Sequence, residues 1–306
     1  MPARPRIVLT GATGLVGRAL TKALVAQGYE VAPLRSRTQG PGGMDDHGWF
    51  DTDFLEGAHA VIHLAGEPIA QRWTAAAKER ILSSRVKNTS MVACNVAFGA
   101  LELRYAPKIF LSMSGISRYG IHRPGETLTE SSEVSEEGFL GLVSAAWEKA
   151  ATEPYDYPPI GIRTVLLRTG VVLAASGGAL KKMLPAFKAG LGGPIGSGEQ
   201  QVSWIRLGDL VRLIVWALEH PTLSGPLNAV APQPVSQREF ARTLGSVLNR
   251  PAFVPLPAFA VSLLFGQMGR ETLLSDLAVL PERALADGFA FETPDLPSAL
   301  RAALCE

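Results

Sequence analysis

The sequence predicts an α/β fold: a doubly wound parallel sheet with a smaller C-terminal lobe. Three observations carry this. Short apolar runs alternate with helical stretches over residues 1–170, the pattern of strand–helix–strand units in a parallel sheet. The first run ends in three evenly spaced glycines and passes at once into an amphipathic helix. Beyond residue 170 the alternation lapses into glycine- and proline-punctuated segments.

The opening stretch organises the rest. Ile7, Val8 and Leu9 read as a buried strand, followed by Gly11, Gly14 and Gly17 and a helix carrying Leu15, Ala19, Ala23 and Leu24. In this context the first glycine allows a tight turn, the second lets a pyrophosphate reach the backbone, and the third lets helix pack on strand. The free N–H groups at the helix start then face the phosphates. This assigns a dinucleotide to the backbone of Gly11, Thr13, Gly14, Leu15, Val16 and Gly17, and makes the sheet Rossmann-type.

A second strand, 30–34, contains Pro33, which is tolerable at a strand end. It leads to Arg35, Ser36 and Arg37. An acidic residue at this place binds the 2′-hydroxyl of NAD, whereas arginine accommodates the 2′-phosphate of NADP. Two cations and a hydroxyl, with no carboxylate, point to NADP(H). Residues 38–57 read as loop with a short strand near Trp49-Phe50. The next strand, 58–63, ends in Leu64, Ala65 and Gly66, small enough for a cofactor ribose to pass close, with Glu67 next. His63, at the strand end, reads as structural. A helix over 75–99 carries Arg85 toward the nicotinamide side. The strand 108–114 ends in the hydroxyls Ser112, expected at the cofactor, and Ser114, and Tyr119 lies in the following loop. Residues 121–138 read as acidic loop, 139–152 as helix, and 163–168 as the sixth strand.

In the second half, a glycine-rich loop over 190–198 lacks the Lys-Ser/Thr of a phosphate-binding Walker loop. Arg168, Gln200, Trp204 and Arg206 suggest a ligand cleft beside it. Asp209 reads as the cap of helix 210–219, Ser236 with Glu239 as a capping box for helix 237–248, and 226–230 as a strand added to the main sheet. Apolar helices are expected near 258–265 and 297–304. The domain division expected is 1–170 with 215–231 for the nucleotide-binding part, and 171–214 with 232–306 for the substrate lobe.

Composition narrows the function. The formal net charge of +1 gives no reason to expect a nucleic-acid or acidic-membrane partner. A hydrophobic share of 47% supports a full core, and no apolar run reaches the length of a membrane span. Cys94 and Cys305 make no disulfide framework, which with the lack of a signal-peptide pattern suggests the cytoplasm. The five histidines show no metal-ligand spacing, so no metal is expected. A monomer or homodimer acting on a small molecule is the expectation.

The whole chain resembles the short-chain dehydrogenase/reductase superfamily in its extended, epimerase-like form. More narrowly it is similar to an atypical NAD(P)-binding epimerase family, some of whose members carry a cell-division-inhibitor label. The resemblance rests on Gly11-x-x-Gly14-x-x-Gly17, on Leu64-Ala65-Gly66-Glu67-Pro68-Ile69, and on Arg72-Trp73, Ser84-Arg85 and Trp147-Glu148. It continues through Arg168-x-Gly170-Val171-Val172-Leu173, Gly177-Gly178, Gly192-Gly193-Pro194-Ile195-Gly196-Ser197-Gly198, Ser203-Trp204-Ile205, Asp209 and Arg250-Pro251. It implies an NADP(H) site and a lobe where relatives bind nucleotide sugars or other carbonyl compounds.

The sequence departs from the superfamily at the chemistry. The usual set is a serine and a Tyr-x-x-x-Lys, in which lysine lowers the tyrosine pKa. None of the five tyrosines has lysine four residues later, and spacing from Trp147-Glu148 puts Leu140 and Ser144 in the two places. Ser114 keeps roughly the serine position, and Tyr119 is the tyrosine nearest to it. Two readings stand: a slow or narrow NADP(H)-dependent oxidoreductase or epimerase using Ser114 and Tyr119, or a non-catalytic NADP(H)-binding sensor or regulatory protein.

Overall fold

The computed structural model describes residues 5–36, 42–44, 50–156 and 161–306. Its centre is a seven-stranded parallel sheet. The strands are β1 (Arg6–Thr10), β2 (Glu30–Ser36), β3 (Gly43–Met44), β4 (Ala58–His63), β5 (Ile109–Gly115) and, past β6 (His122–Leu128), β7 (Arg163–Thr169). A late strand, Gly225–Ala229, pairs with β7 at one edge, Leu227 opposite Leu167, and completes the order β11-β7-β5-β4-β1-β2-β3. The chain therefore winds outward from β1 to β3, then returns to lay β4 on the other side of β1. That reversal opens a crevice at the carboxyl ends of β1 and β4, where this topology binds ligands.

Helices cover both faces. On one side lies α1 (Leu15–Ala26); on the other, α2 (Ala75–Glu102) packs along α3 (Gly138–Asp156). The strands are apolar on both faces because both are buried: Ile7, Leu9, Ile62 and Leu111 point into one core with Leu20 and Leu24, and Val8, Val61 and Phe110 into the other with Val92 and Val96. Pro33 sits inside β2. Its one ladder partner is Leu9 of β1, and β3 joins β2 only at Arg35 and Ser36, so its missing N–H faces no strand.

The second half adds β8 (Val171–Leu173), α4 (Gly178–Lys188), β9 (Gln201–Val202), β10 (Trp204–Arg206), α5 (Leu207–Glu219) and the edge strand β11 just described. These are followed by β12 (Val235–Ser236), α6 (Gln237–Val247), α7 (Ala258–Thr272), β13 (Asp276–Val279), α8 (Glu282–Ala286) and α9 (Leu296–Cys305). The lobe has its own core, in which Leu180, Leu184, Phe187 and Trp204 meet Phe240, Leu244, Leu296 and Leu300.

Four expectations change. The helix expected at 210–219 starts at Leu207, so Asp209 lies in its first turn rather than at its cap. The Asp209 carboxylate instead accepts from the N–H groups of Glu292 and Thr293, at 2.8 and 3.2 Å. A division at 214/215 cuts this helix. All of α5 belongs to the main core, where Leu210, Leu213 and Ile214 join Leu20 and Leu24. The acidic loop contains β6, paired in parallel with β13 some 150 residues on. Phe50 is not in a strand, and Trp49 lies outside the described residues. The N-cap half of the expected capping box is formed: Ser236 accepts from the Glu239 N–H at 3.1 Å.

Candidate functional site

Each glycine of the first loop has its own geometry. Gly11 adopts φ +70°, and a Cβ there would lie 2.8 Å from the Ala65 nitrogen, so this turn beds onto the end of β4. A Cβ on Gly17 would lie 2.1 Å from the Gly11 oxygen; the third glycine packs α1 onto the loop itself. Gly14 is different. A Cβ there meets only the Gly11 oxygen, at 3.2 Å, and otherwise open space. Gly14 is also the N-cap of α1, with no capping side chain and no acidic residue in the first turn. The leading N–H groups of the helix, at Leu15 and Val16, thus face the crevice as an anion site. Thr13 and Gly14 are exposed beside it. The loop leading into α4 closes over this place, since a Cβ on Gly177 would lie 2.9 Å from Leu15 Cδ1.

The opposite wall is the end of β4. Thr10 Oγ1 accepts from the Leu64 and Ala65 N–H groups at 3.2 and 3.3 Å and lies 2.8 Å from His63 Nδ1. With two amides already donated to it, the Thr10 hydroxyl gives its own proton to Nδ1. His63 is fully buried, and burial pulls its pKa down to about 4. It is a neutral brace, as its sequence position suggested.

Gly66 and Glu67 run over Arg85. The Arg85 guanidinium donates to the Glu67 carbonyl at 2.9 Å and the Ile81 carbonyl at 3.3 Å, and lies over the Trp147 ring at 5.0 Å. It is 7% exposed and has no ion-pair partner among the described residues. Burial lowers its pKa to about 10, partly offset by the charge of Glu67, so it stays cationic at neutral pH. Ser84 accepts from the Glu67 N–H at 3.0 Å and fixes the same turn. Arg35 is exposed at the end of β2, one register step past the strand position facing Thr10. The Ser36 side chain and Arg37 lie outside the described residues. Ser112, expected at the cofactor, is fully buried, its hydroxyl turned to the Met113 carbonyl.

The residues expected to do chemistry form something else: a buried polar network under the sheet edge. Glu148 accepts a bidentate pair from Arg168, at 2.8 and 2.9 Å, and the Ser114 hydroxyl, at 2.8 Å, with Arg118 at 3.5 Å. Arg168 also donates to the Tyr119 hydroxyl at 3.0 Å, and that hydroxyl donates to Asn228 Oδ1 at 2.8 Å. Asn228 in turn donates its backbone N–H to Glu130 at 2.9 Å. Tyr119 has no exposed surface, and burial above all raises its pKa. This geometry does not fit the proton-donor role expected of Tyr119: no substrate oxygen can reach the hydroxyl, and its proton is already placed. Ser114, 3% exposed, gives its proton to Glu148 and offers a substrate only lone pairs. Arg168, 5% exposed, neutralises Glu148.

The other lobe residues are also structural. Trp204 is fully buried. Gln200 donates to the Ile195 and Leu273 carbonyls at 2.9 and 3.3 Å and braces the glycine-rich loop. Arg206 pairs with Glu292 at 2.6 Å and Glu306 at 2.8 Å, tying the chain end to α5.

Next to the end of β5 lies a pair of hydroxyls that the sequence reading missed, one half-buried and one buried. Ser117 Oγ and Ser144 Oγ lie 2.8 Å apart, and a Cβ on Gly115 would be 3.3 and 3.6 Å from them. Ser144 holds the place of the usual lysine, and Leu140, whose carbonyl accepts from Ser117 at 3.3 Å, that of the tyrosine. The spacing from Trp147-Glu148 located Ser144. Nothing in the sequence marked Ser117 as its partner across 27 residues.

This architecture has known counterparts. The family model described as NAD dependent epimerase/dehydratase family matches residues 7–229. The chain belongs to that family. A domain of unknown function matches residues 256–303. The chain is similar to the human epimerase family protein SDR39U1, 37% identical over 301 residues that cover 97% of this chain and 98% of that protein. The crystal structure of human SDR39U1 (isoform2) with NADPH superposes with a TM-score of 0.86 at 35% identity, covering 97% of this chain and 98% of that one. A nucleoside-diphosphate sugar epimerase from Corynebacterium glutamicum superposes with a TM-score of 0.78 at 32% identity, covering 99% of this chain and 58% of that one.

Proposed function

We propose that this epimerase-family protein binds NADP(H) and slowly reduces a narrow class of small carbonyl or sugar-like compounds, in the cytoplasm. The uncapped start of α1 beside Gly14, open to the crevice and free of carboxylates, is the observation that supports the cofactor most directly. The residues fit the group. The amides of Leu15 and Val16 suit the pyrophosphate, Arg35 the 2′-phosphate, and the glycine turn at Ala65 and Gly66 the ribose. Arg85, buried without a carboxylate partner, suits a phosphate or ribose oxygen in the same crevice. The SDR39U1 structure with NADPH supports the same choice of cofactor.

When bound, NADPH supplies a hydride to the carbonyl carbon. The chain must then deliver a proton to the developing alkoxide oxygen, which a positioned acid does with about 10²–10⁴-fold advantage. Tyr119 and Ser114 have already given their protons to Asn228 and Glu148. Ser144 is as buried as Ser114, but Ser117 is only half-buried, and its contact with the Leu140 carbonyl is long, at 3.3 Å, so its Oγ proton is the one that can turn to a substrate, with Ser144 as its partner. A serine pair is a weak acid, so turnover is slow. The buried network favours the second reading, a non-catalytic NADP(H)-binding protein, because it uses up both conventional donors.

Steady-state NADPH oxidation against a panel of aldehydes, ketones and keto-sugars tests this. Ser117→Ala should lower turnover at least about tenfold with NADPH affinity unchanged. Tyr119→Phe should leave turnover unchanged but destabilise the fold by about 1–3 kcal/mol, because Asn228 and Arg168 lose their partner. Tight NADPH binding with no compound reduced would hand the case to the non-catalytic reading.

A further inference from the structure

Away from the crevice, the C-terminal lobe carries an exposed apolar surface. Between Arg250 and Arg270 no residue is charged. Much of this stretch nevertheless faces solvent: Phe253 is 75% exposed, Phe259 74% and Leu263 82%, and Leu264 and, from the neighbouring loop, Leu191 are exposed as well. Single exposed apolar residues are ordinary, but a run of them marks a contact surface.

The backbone builds this surface in two steps. Residues 251–257 lie along the glycine-rich loop, the Val254 N–H donating to the Gly192 carbonyl at 3.1 Å and the Leu256 N–H to the Pro194 carbonyl at 2.8 Å. That pairing sets Leu191 beside Phe253. Pro251, Pro255 and Pro257 have no N–H, so this backbone keeps few donors that need water. Helix α7 follows and breaks at Gly266, where φ is +60° and ψ is −140°. Its second half carries Gln267 to α2 and Glu271 to α3. Its first half buries Val261 and turns Phe259 and Leu263, four residues apart on one face, outward.

A cationic band borders the apolar face. Arg238 and Arg242 lie four residues apart on α6, and Arg250 folds back under it, its backbone N–H donating to the Gly245 carbonyl at 2.9 Å. All three line one groove with Phe253. Lys188, whose carbonyl accepts from Arg250 Nε at 3.0 Å, is exposed beside them. Two carboxylates answer these four cations: Glu199, which pairs with Arg238 at 2.7 Å, and Glu239 on α6.

Apolar side chains beside a band of excess cations complement a bilayer whose headgroups are negative: the first enter the acyl-chain boundary, and the second meet the lipid phosphates. We propose that this face docks on the surface of an anionic phospholipid membrane. Phe253, Phe259, Leu263 and Leu264 sit at the acyl-chain boundary, and Lys188, Arg238, Arg242 and Arg250 lie at the headgroups. A second copy of the chain fits less well, because a twofold contact through this face sets two cationic bands against each other. Among the described residues no helix is long and apolar enough to cross a membrane, so the contact is peripheral. The formal net charge of +1 gave no sign of it because it sums over the whole surface. The proposal uses no crevice residue and stands whether or not the protein is catalytic.

Co-sedimentation of the full chain with vesicles of equal parts phosphatidylserine and phosphatidylcholine tests it, at low and at high salt. The wild type should bind these vesicles at low salt, and bind pure phosphatidylcholine vesicles at least about tenfold more weakly. Phe259→Asp with Leu263→Asp should weaken binding to the anionic vesicles by at least about tenfold. Lys188→Glu with Arg242→Glu should do the same and remove most of the salt dependence. All four side chains are exposed, and unchanged thermal melting and NADPH binding would show both double variants folded. The proposal is overturned by any of three results: no vesicle binding at low salt, equal binding to the two lipid compositions, or undiminished binding by either double variant. Dimerisation in analytical ultracentrifugation that Phe259→Asp with Leu263→Asp abolishes, with no vesicle binding, would overturn it in favour of a second copy on this face.

Discussion

His63 shows how a residue next to a cofactor crevice can be wholly structural. Its ring lies under the first turn, takes the Thr10 proton, and has an Nε2 with no partner. Burial holds its folded-state pKa near 4, against an ordinary value of 6.5. Between those values the unfolded chain binds a proton that the native protein refuses. Stability is therefore fully present above about pH 6.5 and is lost as pH falls toward 4, by about 2 kcal/mol at pH 5. Urea denaturation at pH 7.5 and pH 5 measures this. The wild type should lose about 2 kcal/mol more than His63→Gln between the two, and an equal loss in both would show that His63 titrates normally. Single residues were legible in the sequence where backbone or charge decides their place, as for Gly11, Gly14, Gly17 and Arg35. Tyr119, Arg168 and Arg206 were not. A polar residue at a strand end reads the same whether it faces a cleft or a buried partner, and the partners Asn228, Glu148 and Glu292 lie 20 to 109 residues away.

At the scale of elements, the β1–α1 unit separates two kinds of glycine. Gly17 has no room for a methyl group, because the Gly11 oxygen would lie 2.1 Å from it, whereas a Cβ on Gly14 meets that oxygen at 3.2 Å, a contact that a movement of a few tenths of an ångström relieves, and is otherwise open. Gly17→Ala should destabilise the protein by about 3 kcal/mol or more through overpacking. Gly14→Val, at φ −71°, should fold at a cost of only about 1 kcal/mol, from the tight Gly11 contact and a poorer N-cap, and lose NADPH. Thermal melts with and without NADPH read both effects, and equal destabilisation by the two changes would contradict the distinction. The periodicity of local elements was readable: β1, β4, β5, β7, α1, α3 and the Ser236 box all follow from it. What escaped is pairing between distant segments. The sequence of β6, His-Arg-Pro-Gly-Glu-Thr-Leu, shows no alternation. It is a strand because β13 lies beside it.

In the whole molecule, a core on each face of the sheet is joined by a third in the lobe. The core on the α1 face takes in all of α5, and the lobe core gathers around Trp204. Side-chain bonds cross the divide and hold the lobe over the crevice. Lys78 of α2 donates to Gln267 of α7, and Glu271 of α7 accepts from the Phe139 and Leu140 N–H groups at the start of α3, at 3.1 and 2.9 Å. Lys182 of α4 donates to the Ala70 carbonyl in the loop beyond β4. The place of α5 was not legible in the sequence, since its apolar face suits either core. The central claim is that the crevice between β1 and β4 holds NADP(H), with the cation at the end of β2 selecting the 2′-phosphate. Calorimetric titration of the wild-type chain with NADPH and with NADH tests it most directly. Tighter binding of NADPH, by roughly tenfold or more, is predicted from one charge-assisted phosphate contact, with most of that preference lost in Arg35→Glu. Equal or tighter binding of NADH would contradict it.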